Sequence, residues 1–144
     1  MNKTWDPKVT DAMVKKDRES MYEAILAEAH AAGMEAGEEV QVTPMIVGTP
    51  TTPLGSTIDR TKPVYEVEGG CCGFAWIEIY GGNGAFPRYM VRKGISRRNC
   101  GRSGSSIWVS HFGQSMVRKE AYARAYAQVL KEHGVQAYMG SRMD

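Results

Sequence analysis

GGCCGFAWIEIYGG, residues 69–82, sets an apolar run with two cysteines and a tryptophan between two pairs of glycines. Neighbouring side chains of a strand point to opposite faces, so Cys72, Phe74 and Trp76 share one face and Cys71 points to the other. Alanine and isoleucine fill that second face, which makes both faces largely apolar. Such a pattern is typical of a covered, central strand. We therefore expect a core strand here, with Cys72 buried and unreactive.

The cysteines fit no known metal or redox motif. The sequence has no CxxC pair, and the largest set of zinc ligands would be Cys71, Cys72, Cys100 and His111. Adjacent ligands are poorly spaced for tetrahedral zinc, and an odd number of cysteines is typical of a reducing compartment. Cys100 lies among arginines, and with His111 as its base it supports one alternative, a cysteine-dependent enzyme. We predict no metal, no cofactor and no catalytic residue.

Other catalytic signatures are absent from the sequence. It contains no GxGxxG, GxxxxGK[ST], GxSxG or HExxH motif, and the basic half offers no pair of carboxylates for acid–base chemistry. His30 and His133 are expected near helix C-termini, where a histidine is solvated or interacts with the helix dipole. These observations argue against most hydrolase designs.

The 144 residues correspond to the usual size of one domain, and 42% hydrophobic residues suffice for one core. The sequence contains no run of eighteen apolar residues, so we predict no membrane span. The first twenty residues lack the apolar segment of a secretory signal. We therefore expect a single domain over residues 1–144, cytoplasmic and without membrane association.

Local patterns predict an α+β fold with a mainly antiparallel sheet and two long helices packed on it. Asp6 and Pro7 would begin an N-terminal helical segment within residues 1–39, whose apolar stripe (Val9, Ala12, Met13, Met21, Ile25, Leu26 and Ala29) ends at Gly33 or Gly37. The further predicted elements are a strand at 40–47, a Pro/Gly/Thr-rich loop at 48–63, a β-hairpin of strands 63–67 and 72–80, a short helix at 86–91, a strand at 106–112, a helix from Ser115 to Gly134 and a strand at 135–139. The last helix would bury Met116, Ala123, Tyr126, Ala127 and Leu130.

The net charge of +2 conceals a strong asymmetry along the chain. Residues 1–39 contain nine acids and five bases, whereas residues 79–119 contain eight bases and no acid. A Gly/Ser-rich loop, residues 92–106, carries several of these bases and can adapt to phosphate groups. Potential stacking rings are Tyr89, Trp108, Tyr122 and Tyr126. This basic region predicts binding of an anionic ligand. The alternatives are a surface for the acidic helix of a second copy or for another protein, and a solvated surface without a binding function.

The second half resembles a family of small, mostly uncharacterised proteins of tailed bacteriophages. The similarity rests on PVYEV, CGFAWIEI, FPRYM, IWVSHFGQSMVRKEAYARAYAQVL and GVQAYMGSRMD, within residues 63–144. The resemblance implies a phage origin and action in the host cytoplasm or in the virion, and it implies no reaction. Cys71 departs from the pattern, which needs only Cys72.

We expect a non-enzymatic phage accessory protein, possessing a basic face for nucleic acid or a nucleotide-like molecule, with a role in host takeover or counter-defence. The candidate ligand-binding residues are Arg97, Arg98 and Arg102 on the loop, Gln114, Ser115, Arg118 and Lys119 around the start of the last helix, and Arg142 near the C-terminus. Arg118 and Lys119 oppose the helix dipole, which marks them as placed against local preference. The alternative is a virion or interaction protein that binds a host protein or forms homo-oligomers.

Overall fold

A computed structural model, which describes residues 7–81 and 84–144, places the CGFAWIEI segment at the centre of a four-stranded antiparallel sheet. The elements in chain order are α1 (Pro7–Glu39), β1 (Met45–Gly48), β2 (Val64–Val67), β3 (Gly73–Ile79), α2 (Ala85–Arg92), β4 (Arg97–Arg98), β5 (Ser105–Trp108), α3 (Met116–Glu132) and β6 (Ala137–Met143). The strand order is β4-β5-β3-β6, and β3 pairs antiparallel with both neighbours. The predicted α+β class and the central position of β3 are confirmed.

Only one face of β3 is buried. Ala75, Ile77 and Ile79 are in the core, whereas Phe74 and Trp76 are half-buried on the opposite side. The expectation that both faces are covered is therefore wrong, because the helices of the described residues pack on one side of the sheet alone. We call the other side, opposite α3, the open face.

The C-terminal helix α3 lies against the buried side of the sheet. Ser115 caps it, since its side chain accepts a hydrogen bond from the backbone N–H of Arg118 at 3.4 Å. Gly134 follows its end with a φ of 83°. The predicted inner residues Ala123, Tyr126, Ala127 and Leu130 are buried, and Met116 is half-buried.

The long N-terminal helix α1 packs with α3 on the same side of the sheet and continues through both glycines that were expected to end it. A side chain at Gly33 would collide with the ring of Tyr122, and one at Gly37 would collide with the ring of Phe112. These glycines therefore allow close helix packing rather than chain termination.

The apolar stripe of α1 is shorter than its sequence pattern predicts. Ile25 and Ala29 are buried and Leu26 packs against the core, but Met13 and Met21 are exposed. Asp6 lies outside the described residues, as do the side chains of Val9 and Ala12 and, in the predicted break after β3, Gly82 and Asn83.

The predicted hairpin of β2 and β3 is wrong. β2 pairs instead with β1 in a separate two-stranded sheet, and the loop 49–63 joins these two strands. Both edges of β3 are occupied by β5 and β6, whose inner side chains, such as Ile107 and Ala137, join the core. β2 exposes Tyr65 and Glu66 and has little apolar surface to bury in that position.

Three strand boundaries also differ from the expected ones. The first strand begins after Pro44 rather than at residue 40, and β5 ends at Trp108 rather than extending to Phe112. The last strand, predicted at 135–139, runs to Met143 because it pairs along the whole of β3.

Candidate functional site

The open face is built from alternate residues of three paired strands. Strand register places Trp108 of β5 and Gly140 of β6 on either side of Trp76. The same register places Arg142 beside Phe74. Because cross-strand partners point to the same side of a sheet, these residues form one continuous surface.

Three rings of this surface form what we call the aromatic cluster, Phe74, Trp76 and Trp108. The indoles of Trp76 and Trp108 are stacked with planes 5° apart and centroids 5.9 Å apart, and the Phe74 ring lies 5.4 Å from that of Trp108. Trp108 is 52% exposed, so its ring is available to a ligand. The Trp76 indole lies over Gly140, where any side chain would collide with it.

Glu78 holds several open-face side chains in place. Its carboxylate accepts hydrogen bonds from the Tyr80 hydroxyl at 2.7 Å and from Trp76 Nε1 at 3.1 Å, and it forms an ion pair with Arg102 at 3.1 Å. The bond from Tyr80, then that from Trp76, lowers the pKa of Glu78 below its usual value. The network fixes the orientation of the Trp76 ring.

Cationic side chains lie on the same side of the sheet as the aromatic cluster. The Arg142 guanidinium carbon lies 5.3 Å from the centroid of the Phe74 ring, within the range of a cation–π contact. Arg102 reaches the face through Glu78, and Arg97, exposed on the edge strand β4, shares the side of its partner Ser106. The structure thus places three of the predicted ligand-binding residues on one side of the sheet, Arg97, Arg102 and Arg142.

Two other predicted residues are separated from these three. Arg98 follows Arg97 in β4 and therefore points to the opposite side of the sheet. The Arg118 guanidinium donates to the carbonyls of Gly37 at 2.8 Å and Glu38 at 3.2 Å, so it caps the C-terminus of α1. Arg118 satisfies helix carbonyls that lack intrahelical partners, which explains its position against the dipole of α3.

The remaining predicted residues around the start of α3 differ in accessibility. Ser115 is buried and donates to the Gly69 carbonyl at 2.7 Å, and Gln114 is exposed in the preceding loop. Lys119, expected as an accessible phosphate contact, is only 6% exposed, and its Nζ lies 5.6 Å from the centroid of the Phe74 ring. Lys119 therefore contacts the Phe74 ring as a buried residue and is not a solvent-accessible cation.

The three cysteines differ in exposure. Cys72 is half-buried rather than buried, Cys71 is also half-buried, and Cys100 is exposed. Across residues 7–81 and 84–144, no group of three or more His, Cys, Asp or Glu residues is placed to hold a metal ion.

His30 occupies a position that the sequence did not predict. Because α1 continues to Glu39, His30 lies well before the helix end, and its Nδ1 is 2.7 Å from the Tyr122 hydroxyl. Its ring also contacts that of His111, with centroids 5.2 Å apart. Burial raises the pKa of the Tyr122 hydroxyl to about 12. His133, which does follow the end of α3, lies 3.5 Å from the carboxylate of Glu28.

Among the predicted stacking residues, only Trp108 is exposed. Tyr89, Tyr122 and Tyr126 are buried in the core. Phe74 and Trp76 were interpreted as core residues, yet they lie on the open face. The signal that could have placed them there is Glu78, which shares their parity in β3 and marks that face as reaching solvent.

Comparison with family models, with curated proteins and with solved structures found no match for the chain. Within the residues that the structure describes, no helix has both the length and the apolar character needed to cross a membrane.

Proposed function

We propose that this protein binds single-stranded nucleic acid on the open face, as a non-enzymatic binding protein. The observation that carries the proposal is the stacked pair Trp76 and Trp108 on an exposed sheet surface, with the cations Arg97, Arg102 and Arg142 on the same side of the sheet. Stacking of a base on an aromatic side chain contributes about 1–3 kcal/mol, and every base has a face to offer.

The shape of the site favours a strand over a single nucleotide. Phe74 and Trp76 lie two residues apart in β3, a separation of about 6.6 Å along the strand, and Trp108 extends the surface across to β5. An extended row of rings on an open sheet suits successive unstacked bases, which a duplex does not present. The surrounding arginines supply charge-assisted contacts to the phosphates.

The biological setting rests on the sequence resemblance. Similarity to small tailed-phage proteins supports action in the cytoplasm of an infected bacterium, in host takeover or counter-defence, with the virion as the alternative location. Binding of single-stranded nucleic acid fits that setting, because replication, transcription and the host's response to infection all expose single strands.

The proposal is tested by fluorescence anisotropy with a fluorescein-labelled dT12 oligonucleotide. Trp108→Ala removes one stacking ring, and we expect Kd to rise roughly 5- to 150-fold, the equivalent of about 1–3 kcal/mol. Tyr65→Ala, which removes an exposed ring from β2, is the matched control and should bind like the wild type.

Unchanged binding by Trp108→Ala would contradict the proposal. So would tighter binding of a 12-base-pair duplex than of dT12. A chain that ignores dT12 but forms an oligomer that Trp108→Ala dissociates, as seen by light scattering, would identify the open face as a protein interface instead.

A further inference from the structure

A second basic surface lies on the other side of β4. The N-terminal half of α1, α2 and β4 enclose a cavity of about 660 Å³, and we call it the basic groove. Its cations are Lys15, Arg18, Arg88, Arg92 and Arg98. The rings of Tyr22 and Tyr89 also line it. The groove therefore combines dense positive charge with an aromatic lining.

Among the described residues, cations outnumber carboxylates in and beside the groove. The described lining holds five cations and one carboxylate, Glu19, which pairs with Arg92 at 2.8 Å. A second carboxylate, Glu23, accepts a hydrogen bond from the Tyr89 hydroxyl at 3.3 Å. In the described part of the chain, no carboxylate lies within 4.0 Å of the guanidinium groups of Arg88 and Arg98. Such an excess of cations over carboxylates creates a positive potential that attracts phosphate groups.

The basic groove is connected to the open face through the edge of the sheet. Arg98 lines both the groove and a neighbouring hollow of about 310 Å³, which Arg102 also lines. Arg102 in turn forms the ion pair with Glu78 on the open face. Cations thus follow one another from the aromatic cluster, across β4, into the groove.

We infer that the basic groove binds the phosphates of the same nucleic-acid strand whose bases stack on the open face. The strand would cross the edge at β4, where Arg97 and Arg98 point to opposite sides of the sheet. The step from β3 to β4 covers two inter-strand spacings, about 10 Å, so a few nucleotides suffice to make it. This inference rests on the proposed function and extends the binding surface from the open face, across β4, into the basic groove.

The inference predicts that groove contacts depend on oligonucleotide length. The double variant Arg88→Ala/Arg98→Ala should weaken binding of dT12 by roughly 25-fold at 0.1 M salt, because each lost phosphate contact costs about fivefold in a single strand. It should also make the log–log salt slope shallower by about 1.4. Binding of dT4, which the aromatic cluster can hold alone, should be unchanged.

The matched control is Arg60→Ala/Lys62→Ala, which removes the same charge from exposed positions in the 49–63 loop. It should bind both oligonucleotides like the wild type. All four substituted residues are exposed, and thermal melts followed by circular dichroism check that each variant is folded.

The outcomes separate this inference from the proposed function. If Trp108→Ala weakens both oligonucleotides while Arg88→Ala/Arg98→Ala leaves dT12 unaffected, the open face binds the strand and the groove inference is wrong. If the groove variant weakens dT12 but Trp108→Ala has no effect, the strand does not stack on the open face and both proposals are overturned. If Arg60→Ala/Lys62→Ala weakens dT12 binding equally, the effect comes from the net charge of the protein, and the inference is also overturned.

Discussion

Replacing Arg118 with alanine should destabilise the fold without weakening nucleic-acid binding. The guanidinium donates one part-buried hydrogen bond to Gly37 and one exposed bond to Glu38. A charged hydrogen bond contributes about 1.5–3 kcal/mol, and a cation at a helix C-terminus adds about 0.3–1 kcal/mol. Because the second bond is open to water, we count only the first in full. We therefore expect a loss of about 2 kcal/mol in the free energy of unfolding.

Urea denaturation measures that loss directly, and a fall in Tm of about 4–8 °C should accompany it in a chain of this size. Arg124→Ala is the matched control, since within the described residues that exposed arginine forms only a long i,i+4 ion pair of 3.9 Å with Glu120. It should change stability by less than about 0.5 kcal/mol. An Arg118→Ala protein with wild-type stability and weakened dT12 binding would refute the capping role and restore Arg118 as a phosphate contact.

Three further outcomes follow from the structure. The pKa of the Tyr122 hydroxyl is raised to about 12 in the folded protein, so this hydroxyl loses its proton at lower pH in the unfolded chain. The free energy of unfolding, measured by urea titration, should therefore fall between pH 10 and pH 12, and it should fall less steeply in Tyr122→Phe. Glu78→Gln removes the partner of Arg102 and a negative charge from the open face, so dT12 should bind about fivefold more tightly at 0.1 M salt, with a steeper salt dependence. Ser115→Ala removes the N-cap of α3 and a hydrogen bond to the Gly69 carbonyl, and calorimetry should show a loss of about 1–2 kcal/mol in the free energy of unfolding. Ser103→Ala in the exposed loop should show no such loss.

The elements that the sequence predicted well carry their own local signals. The helix α3 has a capping serine and a regular apolar stripe, and β3 is a glycine-bounded apolar run. The end of α1 was mispredicted because glycine commonly ends a helix, whereas Gly33 and Gly37 lie inside α1 and make room for the rings packed against them. The partner of β2 was mispredicted for a similar reason, since pairing across the sheet depends on long-range burial rather than on the nearest turn.

The candidate site was predictable only in its charge. The acid-free basic region indicated arginines near a ligand. Arg97 and Arg98, however, are successive residues of a strand, so their side chains point to opposite sides of the sheet. The aromatic cluster was hidden because Phe74 and Trp76 have the composition of a core strand. Their exposure follows from the absence of a described helix on that side of the sheet, which within β3 only Glu78 signals.

The most direct test of the central claim, base stacking on the open face, is the fluorescence of its own indoles. The chain has three tryptophans, and Trp5→Phe leaves Trp76 and Trp108 as the emitters. We predict that titration of this variant with unlabelled dT12 quenches the emission, with the midpoint at the Kd found by anisotropy, because stacked bases contact the indole rings. Binding of dT12 by anisotropy with no change in tryptophan emission would contradict the account.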